Sequence, residues 1–169
     1  MSECFDAYDR NGQLMNETLY RGESPKQGLY HYVVEIYTVA NKKVLITQRS
    51  KEKLLDPNLW EVTAGAVIKG ERVEEAAIRE LAEETGINVE QSMLIELYRY
   101  IEESEQVIIK SFGIVLDIEP SIQLQAGETV DYKWITLPEF ESRISGEDFV
   151  KSITNRYHLY ASSIKSLFL

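Results

Sequence analysis

The sequence predicts an α/β protein in which a mixed β-sheet is covered by helices. Three observations carry this expectation. Residues 29–40 (LYHYVVEIYTVA) and 43–49 (KVLITQR) are rich in β-branched and aromatic residues, with a turn at Ala40-Asn41-Lys42 between them. From Glu71 to Glu84 the apolar residues Val73, Ala77 and Leu81 recur at every fourth position in an alanine-rich stretch, which is the period of a helix. The end of the chain returns to helical spacing. Strands first, a helix in the middle and helices last fit a sheet packed under helices.

In chain order, residues 3–20 read as a strand, a turn at Asn11-Gly12 and a second strand, because both turn residues tolerate positive φ. Residues 21–28 are polar and contain Pro and Gly, so 1–28 form an N-terminal hairpin and loop. This hairpin either extends the sheet or serves a contact between two copies of the chain. The segment 60–68 (WEVTAGAVI) is extended and broken at Gly65. Gly86 stands where the helix would end in the left-handed conformation. Strands follow near 93–102, 106–118 and 130–135. Thr136-Leu137-Pro138-Glu139 has the spacing of a capping box with Pro in the first turn, opening C-terminal helices over 137–169. There Phe149, Ile153, Tyr157, Tyr160, Ile164 and Leu167 form a stripe that reads as core.

The length of 169 residues fits one domain, 1–169. Eighteen basic against twenty-eight acidic residues give a formal charge of −10, and no basic patch offers itself to a polynucleotide. One cysteine, Cys4, excludes an internal disulfide and a Cys-based zinc cluster. No apolar run reaches the ~18 residues of a membrane helix, and the N-terminus has no basic or apolar leader. The expectation is a cytoplasmic protein with no membrane or nucleic-acid partner.

Chemistry concentrates in residues 65–87, GAVIKGERVEEAAIRELAEETGI. Glu80, Glu83 and Glu84 stand at i, i+3 and i+4 and share one helix face. Such like charges cost about 0.2–0.5 kcal/mol per pair in an isolated helix, and Arg79 offsets part of this by pairing with Glu83. Three converging carboxylates suit Mg²⁺, Mn²⁺ or Ca²⁺ rather than zinc. Gly65 and Gly70 bracket four residues as in a P-loop, but Glu71-Arg72 stands where Lys-Ser/Thr is required.

The full spacing is Gly65, five residues, Glu71, seven residues, Arg79-Glu80-Leu81, one residue, Glu83-Glu84, one residue, Gly86-Ile87. It resembles the complete signature of the Nudix family. A chance match in a chain of this length has odds on the order of one in ten million. The resemblance implies an α/β/α sandwich and a hydrolase that cleaves a nucleoside diphosphate linked to another group, with Mg²⁺ or Mn²⁺. It implies Glu80, Glu83 and Glu84 as metal ligands, with Glu83 preferred as the group that activates water, and Gly65 as a carbonyl ligand. Glu71 and Arg79 would brace the loop against the helix, and Gly86 would end it. In many relatives a Glu in the loop holding Glu128 approaches the metals or acts as base.

Upstream, His31, LITQRS at 45–50, Lys53, Pro57 and Trp60 resemble a branch near isopentenyl-diphosphate isomerase. In that resemblance Arg49 and Lys53 contact diphosphate. The isomerase Cys is missing after the strand at 60–64, and only His31 of two metal-binding His residues is matched. An isomerase and a catalytically silent ligand-binding module are the competing readings. Trp60, Tyr98, Tyr100, Tyr132 and Trp134 are the aromatics available to stack on a base.

Overall fold

A computed structural model describes residues 2–169. Nine strands and three helices follow one another as β1 (Cys4–Tyr8), β2 (Leu14–Tyr20), β3 (His31–Ala40), β4 (Lys43–Arg49), β5 (Trp60–Glu61), β6 (Thr63–Ala66), α1 (Val73–Thr85), β7 (Ile95–Glu102), β8 (Val107–Leu116), β9 (Thr129–Thr136), α2 (Leu137–Ile144) and α3 (Lys151–Lys165). Strands β3 to β9 form one seven-stranded sheet. Its spine runs β5-β4-β3-β8-β7, with β9 on β4 and β6 on β3. The β3–β8 pair is parallel and the other pairs are antiparallel, so the sheet is mixed.

Alternation along β3 divides the core. Val34 and Ile36 face α1 and pack with Leu45, Ala77, Leu81 and Phe112. Tyr37 and Val39 face the other way, against Phe140, Phe149, Ile153, Tyr157 and Ile164 of the C-terminal region. The result is the expected three-layer α/β/α sandwich. Asn41 and Lys42 close the β3–β4 hairpin with φ of 48° and 59°, the positive values that a two-residue turn of this twist needs.

The C-terminal stripe is core, as its spacing predicts. The helical end divides in two, and Glu139 accepts the Thr136 N–H at 2.7 Å at the start of α2. Across the sheet from α1, Glu35 is wholly buried on β3 and receives Arg156 of α3 at 2.6 Å and 3.1 Å, together with the Tyr98 hydroxyl.

One sequence expectation is corrected, and one of two open alternatives is removed. The segment 60–68 does not break at Gly65. It breaks at Val62, where the chain leaves β4 as its partner and takes β3. Gly65 lies inside β6, opposite Val34. The N-terminal hairpin does not lengthen the large sheet as a strand. β1 and β2 form their own two-stranded sheet, with one isolated β-bridge, from Tyr8 to Tyr30, just before β3. It also holds the loop before α1. Lys69 N–H donates to the Cys4 carbonyl at 2.9 Å, and Gly70 N–H donates to Asp6 Oδ2 at 2.8 Å.

Candidate functional site

The sheet and α1 meet at a cluster of carboxylates. Helix α1 opens with Glu74 and Glu75 in its first turn, where negative charge complements the helix dipole. It ends at Gly86, whose φ of 74° lets its N–H reach the Ala82 carbonyl at 2.9 Å. Ala76, Ala77 and Leu81 fill its buried face. That seating turns Glu80, Glu83 and Glu84 along the rim where helix meets sheet.

The three acids fare differently. Glu83 is the most exposed and Glu84 is buried. Glu80 lies directly over Gly65, so that a Cβ there would overlap its carboxylate. Burial raises the Glu80 pKa, and the charges of Glu83 and Glu3 add to it, while Arg79 opposes. Burial also drives Glu84 well above the usual carboxylate range, reinforced by Glu61 and Glu80. Glu84 Oε2 has no hydrogen-bond partner among the described residues.

Arg79 ties the loop to the helix, and its main partner is not Glu83. Its guanidinium donates to both oxygens of Glu71 at 2.7 Å and 2.9 Å, to Glu80 at 2.7 Å, to the Ala66 carbonyl at 3.0 Å and to Glu83 at 3.3 Å. Glu71 in turn accepts the Ile68 N–H at 3.2 Å. One cation therefore fixes β6, the loop and the helix together.

A fourth carboxylate, Glu61, belongs to the cluster and was not among the residues the sequence singled out. The β5–β4 register places it beside Thr47, and alternation places it on the face of Thr63 and Gly65. Arg49 Nη1 binds its two oxygens at 2.9 Å and 3.0 Å. Burial nevertheless pushes its pKa up to about 7, against the pull of Arg49. Its signal was present as the one acid in an otherwise apolar and small-residue run, WEVTAGAV.

The remaining expected residues are spread over several parts of the fold. Arg49 gives its other donors to the Leu55 carbonyl at 2.9 Å and 3.1 Å. Lys53 pairs with Glu128, and the Glu128 carbonyl accepts the Ser50 N–H at 2.8 Å. Of the aromatics, Trp60 and Tyr98 are buried, and Tyr100 packs against the same core. Lys133 and Arg143 flank the Trp60 ring at 4.8 Å and 5.1 Å. Tyr132 is partly exposed and sits across β4 from Glu61, since both pair with Thr47. His31 stacks on Phe5 at 4.7 Å beneath the hairpin, and burial lowers its pKa.

Among the described residues no three His, Cys, Asp or Glu side chains close on one point. Arg79 occupies the space between Glu80 and Glu83. The donor set still fits a divalent cation. Its ligands are all oxygen, and a buried carboxylate oxygen stands unpartnered, which costs free energy until a cation meets it.

Comparison with known proteins follows the same lines. A protein of Listeria monocytogenes named an uncharacterized Nudix hydrolase is 32% identical over 151 residues, covering 88% of each chain. The crystal structure of DR0079 from Deinococcus radiodurans superposes with a TM-score of 0.77 at 20% identity, covering 94% of this chain and 99% of that one. A bifunctional NMN adenylyltransferase/ADP ribose pyrophosphatase of Francisella tularensis, complexed with AMP and a Mn ion, superposes with a TM-score of 0.57 at 22% identity over 86% of this chain and 43% of that chain. The NUDIX domain family matches residues 29–157, from the start of the central strand into the last helix. The chain belongs to the Nudix family, and it is a Nudix hydrolase.

Proposed function

We propose that this enzyme hydrolyses the phosphoanhydride bond of a nucleoside diphosphate linked to a second group, with Mg²⁺ or Mn²⁺ as cofactor. The observation that carries the reading is the buried, unpartnered Glu84 oxygen beside Glu61 and Glu80 near the end of α1. Glu80, Glu83 and Glu84 would hold the cation, with the Gly65 carbonyl. When bound, the cation supplies neutralisation of the diphosphate charge and Lewis acidity toward the bridging oxygen.

The chain's own residues supply the rest. Glu83 is the exposed acid of the helix face, and its carboxylate takes the proton of the attacking water. The water oxygen forms the new P–O bond as the bridging P–O bond breaks. Glu128, whose loop is joined to α1 by the Gln125 N–H on the Glu84 carbonyl, shares that role. Arg49 and Lys53 orient the diphosphate, with Arg49 also holding Glu61 in place. Glu71 and Arg79 keep the loop and helix in register, and Gly86 ends the helix. Tyr132 is the aromatic placed to meet the organic part of the substrate. The AMP and Mn ion of the Francisella protein favour a nucleotide and make Mn²⁺ a fitting alternative to Mg²⁺.

The reading takes residues 1–169 as one domain acting on a small molecule in the cytoplasm. Among the described residues no helix is long and apolar enough to cross a membrane. Pairing of two copies through the N-terminal hairpin belongs to the same proposal.

The test is phosphate release from a panel of diphosphate compounds, with and without Mg²⁺ or Mn²⁺, for wild type and Glu83→Gln. Metal-dependent release that falls by roughly two orders of magnitude or more in the variant is the expected result. Turnover by Glu83→Gln equal to wild type would remove Glu83 from its assigned role.

A further inference from the structure

Among the described residues Arg79, Arg49 and Lys53 pair with the carboxylates of the site, but not equally. Arg79 makes five hydrogen bonds, to Glu71, Glu80, Glu83 and the Ala66 carbonyl. Arg49 makes four, to Glu61 and the Leu55 carbonyl. Both are planar forks fixed at several points, and releasing either would strand a largely buried carboxylate. Lys53 has one side-chain partner, Glu128, and its ammonium is partly exposed. A flexible stem carrying a point charge leaves such a contact at small cost.

The backbone around this pair does not depend on it. Ser50 N–H bonds the Glu128 carbonyl at 2.8 Å, and Lys53 N–H bonds the Ser50 carbonyl at 3.2 Å. The loop at 125–128 is also joined to α1, because Gln125 N–H bonds the Glu84 carbonyl at 3.4 Å. The two loops therefore stay in place while the side chains part. The Lys53 ammonium also acts on the buried acids: its charge pulls against the raised pKa of both Glu61 and Glu84. Among the described residues it is the one readily movable positive charge serving Glu128, Glu61 and Glu84 at once.

We propose that Lys53 is an exchangeable counterion of the carboxylate cluster. In the free enzyme its ammonium rests on Glu128 and partly neutralises the acids. When a divalent cation takes over that neutralisation, Lys53 moves from Glu128 to the incoming diphosphate, and the Glu128 carboxylate is released to the site. Binding of cation and diphosphate is thereby coupled through one side chain. This inference rests on the metal-dependent reading above.

The exchange predicts opposite effects on two ligands. Removing Lys53 removes a competitor of the metal and a partner of the phosphate. Metal-free wild type, Lys53→Met and Lys53→Arg are titrated with Mn²⁺ alone, free Mn²⁺ being read by electron paramagnetic resonance. Each is then titrated with imidodiphosphate, a non-hydrolysable diphosphate, in saturating Mg²⁺. Lys53→Met is expected to bind Mn²⁺ about 3- to 10-fold more tightly and imidodiphosphate about 10-fold more weakly, with Lys53→Arg near wild type for Mn²⁺. A residue that only held the loops together would weaken both ligands, and a simple phosphate ligand would leave Mn²⁺ unchanged. Unchanged or weaker Mn²⁺ binding by folded Lys53→Met, with wild type binding Mn²⁺ normally, would overturn the exchange alone. Absence of Mn²⁺ binding by wild type would overturn the metal-dependent reading and the exchange with it.

Discussion

Glu61→Gln should make the metal-free protein more stable from neutral pH upward and change it little near pH 4.5. Burial holds the Glu61 carboxyl at about 7 in the folded chain, against 4.5 for an unperturbed glutamate. The folded state thus favours the neutral acid. Its contribution to stability is fully present below about pH 4.5 and is lost as pH rises through about 7. The gap between those values corresponds to about 3 kcal/mol by pH 8. In a domain of this size that is a Tm difference of about 6–12 °C. Glu84 adds a contribution of the same sign in both proteins, smaller in the variant because Glu61 no longer reinforces it. His31 pulls the other way, since its lowered pKa favours folding as the pH rises. The wild-type-minus-variant difference cancels much of that background. The assay is urea or thermal unfolding in chelator at pH 5, 6, 7 and 8, for wild type and Glu61→Gln. The two curves should differ by less than about 1 kcal/mol at pH 5 and separate by about 3 kcal/mol at pH 8. Millimolar Mg²⁺ or Mn²⁺ should stabilise the wild type, because a ligand of the folded state adds RT ln(1 + [L]/Kd). A difference that stays flat from pH 5 to 8 would refute the argument that burial, rather than Arg49, governs this carboxylate.

Two further substitutions probe the frame. Gly65→Ala places a Cβ into the Glu80 carboxylate and should cost about 1–3 kcal/mol in chemical denaturation, together with most of the phosphate release. Full activity and stability in that variant would show that Glu80 has room to move aside. Glu35→Gln leaves the Arg156 guanidinium buried without its counter-charge and should cost about 3–5 kcal/mol by urea unfolding. A loss under 1 kcal/mol would mean that Tyr98 and backbone carbonyls suffice to hold Arg156.

Local signals were strong enough to place the elements. The Asn41-Lys42 turn, the Gly86 helix end and the Thr136 capping box each act within a few residues, and each is found where the sequence puts it. The carboxylate face of α1 was legible too, since helical geometry fixes the spacing of Glu80, Glu83 and Glu84. What spacing does not carry is depth. The three acids span an arc of the helix, and only the position of the sheet decides that Glu84 is buried while Glu83 meets solvent. Glu61 was missed for the same reason. A lone acid in a strand becomes part of a site only through its register with β4 and its approach to α1. Arg79 shows a further limit. Its i+4 partner Glu83 was visible, yet Glu71, eight residues back, is the closer and bidentate one because the loop folds onto the helix.

Because Cys4 and Asp6 hold the backbone of Lys69 and Gly70, the signature loop takes its position from a piece of chain that lies before the matched domain of residues 29–157. The boundary of the recognisable domain and the boundary of the working part therefore do not coincide. A fragment cut at residue 29 would carry every signature carboxylate and the whole seven-stranded sheet, yet its loop would be steadied from one side only. Conversely, changes confined to the first twenty residues reach the loop without altering a single signature acid.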